Sequence, residues 1–268
     1  MISSDAQRER VRAFYDQWTP VFLAGYGTTL QAGFAKRDAD SPADADASAV
    51  LLASRAGVRD GDRILDAGCG VGGPALAIAA VHPRAGIHGV TLSAVQAGVG
   101  RRLVDEAELA GRVTITQADF HDLPFPDASF DVVLFLESCG YSSARGALFA
   151  EAARVVRPGG RIYVKDVFAR AGPLTEIEAR SIAAFDDLWQ LAASPTLPGV
   201  TADLEAAGCA VISAGELRHV DSDRFVAAMV EPDPDTIFRL TELGQAFALS
   251  APDCPTFFAE VRARRSAE

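Results

Sequence analysis

The chain has 268 residues, 49% of them hydrophobic and 23% charged, ample for a sizeable core. Its formal net charge of −11 and its pI of about 4.9 argue against a nucleic-acid backbone as partner. No run of about 18 apolar residues occurs, so no membrane span is predicted. The four cysteines (Cys69, Cys139, Cys209, Cys254) are widely separated and show no CxxC spacing. They support neither a disulfide framework nor a zinc site, no metal ligand set is predicted, and the expected location is a reducing cytoplasm.

Taken in chain order, Val11, Phe14, Tyr15, Trp18, Val21 and Phe22 recur at helical spacing and give an aromatic face. Thr19-Pro20 has the form of an N-cap followed by proline, which predicts a second short helix starting there. The glycines in 24–34 interrupt any helix, and 36–48 (KRDADSPADADAS) reads as an exposed linker after an N-terminal lid. A short helix follows at 49–56. Strands are then predicted at 62–67, 86–90, 112–119, 129–138 and 161–168. Helices separate them at 72–81, 93–110 and 144–156, and a turn (Arg157-Pro158-Gly159-Gly160) precedes the last strand.

Such alternation, with strands that are almost continuously apolar, predicts a doubly wound, mostly parallel α/β sheet covered on both faces. Its ligand belongs at the carboxyl ends of the strands. Beyond 168 the pattern predicts a long helix at 175–193, a short one at 201–208, a strand at 209–217, helices at 222–230 and 234–249, and a final strand at 255–264. The implied organisation is a helical lid and linker (1–48), a ligand-binding core (49–168), a helical cap (169–200) and a C-terminal completion of the sheet with further lid helices (201–268).

Four features fall at successive strand ends. The first is the run Asp66-Ala67-Gly68-Cys69-Gly70-Val71-Gly72-Gly73, a strand-terminal carboxylate and a turn almost without side chains. It satisfies G-x-G-x-x-G at 68, 70 and 73, which alone is weak evidence for a dinucleotide site. A dinucleotide enzyme wants an acid after the second strand for the ribose hydroxyl. This chain has Thr91-Leu92-Ser93 there, with Gln96 one turn on. Ser93 and Gln96 also fit a helix capping box, an alternative that does not exclude ribose contacts. Asp119-Phe120 suits an amine and a purine face. Glu137-Ser138 ends a very apolar strand, where a carboxylate is costly unless it is paired or at work.

These residues resemble the class I S-adenosylmethionine-dependent methyltransferases, whose D-x-G-x-G-x-G loop is matched by Asp66 to Gly72. The resemblance spans roughly 50–168 and implies a seven-stranded Rossmann-like sheet. It places the methionine part of the cofactor against Asp66, Gly68, Cys69, Gly70 and Gly72. Thr91, Leu92 and Gln96 then border the ribose, and Asp119 and Phe120 the adenine. Glu137 also adjoins the cofactor.

A narrower resemblance joins 15–33, 89–97 and 137–138 to the tocopherol, sterol and prenyl-diphosphate C-methyltransferases. Here Tyr26-Gly27 replaces Trp-Gly, and Gln31 stands where histidine is usual. It implies carbon methylation of a small prenyl or terpenoid acceptor, with Glu137 stabilising a cation or removing a proton beside Tyr141 and Tyr15. Trp18, Tyr26, Gln31, Phe185 and Trp189 are the expected acceptor pocket. Mg²⁺ enters only for a diphosphate acceptor. O- or N-methylation of an aromatic natural product, a silent cofactor-binding module and an NAD-dependent oxidoreductase stay open, as does a homo-oligomeric state.

Overall fold

A computed structural model describes residues 4–222 and 255–267. The elements in order are α1 (Ser4–Tyr26), β1 (Phe34–Ala35), α2 (Ala45–Arg55), β2 (Arg63–Ala67), α3 (Gly73–Val81) and β3 (Gly86–Thr91). Next come α4 (Ala94–Glu106), β4 (Val113–Gln117), β5 (Phe130–Leu136), a 3₁₀ turn (Cys139–Tyr141), α5 (Arg145–Val155) and β6 (Val156–Ala169). The chain closes with α6 (Glu176–Trp189), α7 (Leu197–Ala206), β7 (Cys209–Glu216), β8 (Val220–Asp221) and β9 (Thr256–Arg265). The helices expected at 222–230 and 234–249 lie outside the described residues, apart from residue 222.

Seven strands form one sheet in the order β4-β3-β2-β5-β6-β9-β7. β2 to β6 pair in parallel, while β9 runs antiparallel between β6 and β7. Side-chain alternation in the central strands fills two cores. In β5, Val132, Leu134 and Leu136 face the layer of α2, α3 and α4, and Val133 and Phe135 face α5 and α7. Each of these side chains contributes about 1.5–3 kcal/mol through burial. The sheet order reverses at β2–β5, which opens a crevice at the carboxyl ends of β2, β3 and β5. No helix among the described residues is long and apolar enough to cross a membrane.

The structure departs from the sequence-based expectation in four places. First, α1 runs unbroken through Pro20, although proline removes an N–H and costs about 3 kcal/mol inside a helix. The residues beyond it hold the helix: Phe22 packs against Phe14 at 5.8 Å and Trp189 at 6.0 Å between ring centroids. Such pairs contribute about 0.5–1.5 kcal/mol each beyond burial. Thr19, read as a cap, instead donates its hydroxyl to the Tyr15 carbonyl at 2.5 Å.

Second, the linker ends early. Asp44 accepts from the Ala47 N–H at 2.7 Å and starts α2 at Ala45, four residues before the helix expected at 49–56. Third, Phe34–Ala35 pairs antiparallel with Val220–Asp221 in a two-stranded sheet too short to leave a periodic signature. Fourth, the Arg157–Gly160 turn is absorbed into β6 as an irregularity in its pairing with β5, with Gly159 at φ 72°.

Candidate active site

The crevice is a cleft of about 1100 Å³. Its floor is the glycine turn between β2 and α3, where Gly68, Gly70 and Gly72 all take positive φ (91°, 57°, 89°). A side chain at Gly68 would lie 2.4 Å from Ser138 Cβ, so the strand end and the turn share space only a hydrogen can fill. Gly72 does not line the cleft. It caps α3, and a Cβ there would approach Ile115 at 3.0 Å. Asp66 is 1% exposed, its Oδ2 has no hydrogen-bond partner, and burial pushes its carboxyl up to about 7. A buried carboxylate oxygen without a donor, facing a cleft, suits a ligand that brings a cationic donor such as an ammonium.

On the second strand, the Thr91 hydroxyl donates to Gln96 Oε1 at 2.6 Å. Ser93 Oγ caps α4 by accepting from the Gln96 N–H at 3.0 Å and itself donates to Asp16 of α1 at 2.6 Å. Gln96 therefore turns its side chain to Thr91 rather than closing a capping box. Past β4, Asp119 Oδ1 is held by His121 through its backbone N–H (2.9 Å) and Nδ1 (2.8 Å), and Arg8 faces Oδ2 at 3.3 Å. Burial would raise the Asp119 carboxyl, but the His121 hydrogen bonds and the Arg8 charge hold it below its usual range. Phe120 packs edge-on to Phe135 at 6.4 Å beside it. Asp66, Gly68, Cys69, Gly70, Thr91, Leu92, Gln96, Asp119, Phe120 and Glu137 all line the one cleft.

Glu137 leaves β5 with φ at 58°, outside the region a strand residue prefers. Its carboxylate is not free. One oxygen pairs with Lys165 Nζ, and the other accepts from the Ala32 N–H at 2.6 Å. Lys165 is 0% exposed on β6 and also donates to the Gly33 carbonyl at 2.8 Å. The segment between α1 and β1 is thereby strapped across the cleft. Its other end abuts α3, where a Cβ on Gly73 would sit 2.4 Å from the Thr28 carbonyl oxygen.

The Tyr15 and Tyr141 hydroxyls hydrogen-bond to each other in the cleft wall, and burial raises both well above the usual phenol range. Beside them is a smaller, partly open space of about 420 Å³, the inner cavity, which shares Tyr15, Leu30, Gln31, Glu137 and Tyr141 with the cleft. Its remaining walls include Asp166, Phe185, Trp189 and Leu191. Two expected pocket residues stand apart. Trp18 is 40% exposed and stacks on Phe22, and Tyr26 packs on Phe22 at 6.0 Å without lining either cavity.

Sequence reasoning passed over Lys165 and Asp166. Both are charged residues within the apolar run RIYVKDVF, the same cue that singled out Glu137. Asp166 is buried, accepts from the Cys139 thiol at 3.1 Å, and is raised to about 6 by burial and by the Glu137 charge.

Comparison with known proteins agrees with this arrangement. A family model described as a methyltransferase domain matches residues 65–164. The chain is 34% identical over 217 residues to the O-methyltransferase rstn1 of Aspergillus nomiae, covering 78% of this chain and 92% of that protein. It is 35% identical over 162 residues to the 27-O-demethylrifamycin SV methyltransferase of Amycolatopsis mediterranei, covering 59% and 58%. A sterol 24-C-methyltransferase of Pneumocystis carinii is 32% identical over 150 residues, covering 56% and 39%. Among solved structures, the [4+2]-cyclase SpnF superposes with a TM-score of 0.80 over 97% of both chains, a likeness of fold at 23% identity. The chain belongs to the S-adenosylmethionine-dependent methyltransferases, and S-adenosylmethionine is its cofactor. The unpartnered Asp66 oxygen and the glycine turn fit the ammonium and backbone contacts that this cofactor brings.

Proposed function

We propose that the enzyme methylates a hydroxyl oxygen of a neutral, largely apolar small metabolite. The observation that carries this reading is the state of Glu137. Both oxygens of this carboxylate are already engaged, one by an ammonium and one by a backbone amide, and Lys165 offsets its charge, so it is a weak partner for a carbocation. That weakens the expectation of carbon methylation through Glu137. The acceptor end of the cleft instead offers neutral hydrogen-bonding groups on Tyr15, Tyr141 and Gln31, set among Val11, Phe22, Leu23 and Leu30.

A diphosphate finds little here. Arg8 is the one Lys or Arg among the described lining residues, and it already faces Asp119. The acids Asp66, Asp119, Glu137 and Asp166 surround the two cavities and disfavour an anionic acceptor. The O-methyltransferase relative rstn1 supports the same choice.

S-adenosylmethionine held by the glycine turn and Asp66 would supply an electrophilic methyl group carried on a sulfonium. The protein's share is positioning and exclusion of water, the work of the strap and of α1. The proton leaving the acceptor oxygen passes on this reading to Asp166, whose oxygens accept from neutral donors, the Cys139 thiol and the Val167 N–H, rather than from an ammonium, and which shares the inner cavity with Tyr15 and Tyr141.

A second reading, carbon methylation of an alkene, is favoured by the aromatic faces of Tyr15, Phe22 and Tyr141 in the cleft wall and by the sterol C-methyltransferase relative. Two measurements separate them. Incubation with apolar alcohols and prenyl compounds is expected to give a gain of one methyl, located on oxygen by NMR. Glu137→Gln, with kcat referred to the folded, cofactor-binding fraction because the variant leaves the buried Lys165 charge unpaired, is expected to lower kcat about tenfold or less. Near-complete loss of turnover in that variant, or a product methylated on carbon, would overturn the oxygen assignment.

A further inference from the structure

We propose that Gln31 is the residue that reads the acceptor's polar group, in a subsite open to both the cofactor cleft and the inner cavity. Gln31 is 6% exposed, yet neither its amide nitrogen nor its amide oxygen has a hydrogen-bond partner. It lines both cavities, at the wall they share. Leaving a buried amide unpaired costs stability, and such a cost persists where a ligand meets it. The strap fixes the backbone on either side: Ala32 N–H is bound to Glu137, and the Gly33 carbonyl to Lys165.

The chemistry of the amide selects among ligands. A carboxamide presents both donors and an acceptor, and a hydroxyl is the small neutral group that satisfies both with one atom. An ammonium only donates and would leave the Gln31 nitrogen unpaired. A carboxylate or phosphate only accepts, and it would also meet Glu137 and Asp166. Next to the amide, Phe185, Trp189, Leu191 and Val167 give the inner cavity an apolar wall that suits a short hydrocarbon branch. The subsite thus takes an apolar alcohol, hydroxyl on Gln31 and hydrocarbon in the inner cavity. This deepens the hydroxyl-acceptor reading and rests on it.

Two readouts without turnover test the assignment. The first is thermal unfolding of the ligand-free full chain and of Gln31→Leu, a replacement of similar size. Removing an unpartnered buried amide is expected to raise Tm by about 2–4 °C. A merely structural glutamine would give a fall, which would overturn the proposal. The second is titration of the S-adenosylhomocysteine-loaded protein with hexan-1-ol. The Gln31 side-chain NH₂ resonance, assigned through its own backbone, is expected to shift and saturate with hexan-1-ol and to stay still with hexane. Gln31→Leu should bind hexan-1-ol at least tenfold more weakly while holding S-adenosylhomocysteine within about twofold. No response of the resonance, or an unchanged hexan-1-ol affinity in the variant, would overturn the proposal. The resonance readout needs only the parent protein and survives a variant that fails to fold. Failure of methyl transfer to every alcohol tried, with the Gln31 responses intact, would instead sink the hydroxyl chemistry alone.

Discussion

Replacing Lys165 with methionine is the sharpest perturbation the structure offers. Lys165 Nζ is fully buried, pairs with Glu137, donates to the Gly33 carbonyl at 2.8 Å and lies 4.7 Å from the centroid of the Phe258 ring. Methionine keeps the apolar stem and removes all three donors. The Gly33 carbonyl then loses its partner, a cost of about 1–3 kcal/mol. The Glu137 carboxylate keeps only the Ala32 N–H, and removing one member of a buried pair typically costs about 3–5 kcal/mol in all. With Lys165 at 0% and the Glu137 side chain at 11% exposure, solvent screening does little to reduce that figure. For a chain of this size the loss corresponds to a fall in Tm of roughly 10 °C. Urea unfolding of Lys165→Met, Glu137→Leu and the double variant measures it. The double variant should recover part of the loss, because both charges go together. A Lys165→Met loss below about 1 kcal/mol, or a double variant whose loss equals the sum of the singles, would refute the coupling.

Two further outcomes follow from the donor side. Asp66 has a carboxyl raised to about 7 in the fold from an ordinary 3.8, so its contribution to ligand-free stability is full below about 4 and is lost as pH rises through 7. Binding runs the other way. The ionised form receives the cofactor's ammonium, so calorimetry should find S-adenosylhomocysteine about tenfold tighter at pH 8 than at pH 6, and a flat profile would refute the role. Gly73→Ala pits helix propensity, which favours alanine by about 1 kcal/mol, against a Cβ placed 2.4 Å from the Thr28 carbonyl oxygen. The contact should win, weakening S-adenosylhomocysteine binding at least tenfold. A more stable variant with unchanged affinity would show that the strap yields freely.

The sheet and the glycine turn were legible because their signals are local. Continuous apolar runs such as Phe130–Leu136 and the glycines 68, 70 and 72 carry their reasons within a few residues. What escaped the sequence depends on distant partners. Pro20 reads as a helix boundary until Trp189, far along the chain, is seen against Phe22. Glu137 reads as a working acid until Lys165 is placed beside it by the parallel pairing of β5 and β6. Asp66, Asp119 and Phe120 line one cleft because strand ends in such a sheet share one rim. Trp18 and Tyr26 fall outside both cavities, because an aromatic helix face packs on itself as readily as on a ligand.

The strap between Gly27 and Phe34 has a consequence for how this enzyme can be altered. Within a handful of residues it touches the donor turn through Thr28, offers Gln31 to the acceptor and is bound to the buried charge pair through Ala32 and Gly33. Donor affinity and acceptor choice are therefore inherited together. Insertions or deletions in this strap that admit a bulkier alcohol will also disturb the hold on the cofactor, whereas side-chain changes at Gln31, or at Phe185, Trp189 or Leu191, which line only the inner cavity, can reshape acceptor preference without that penalty.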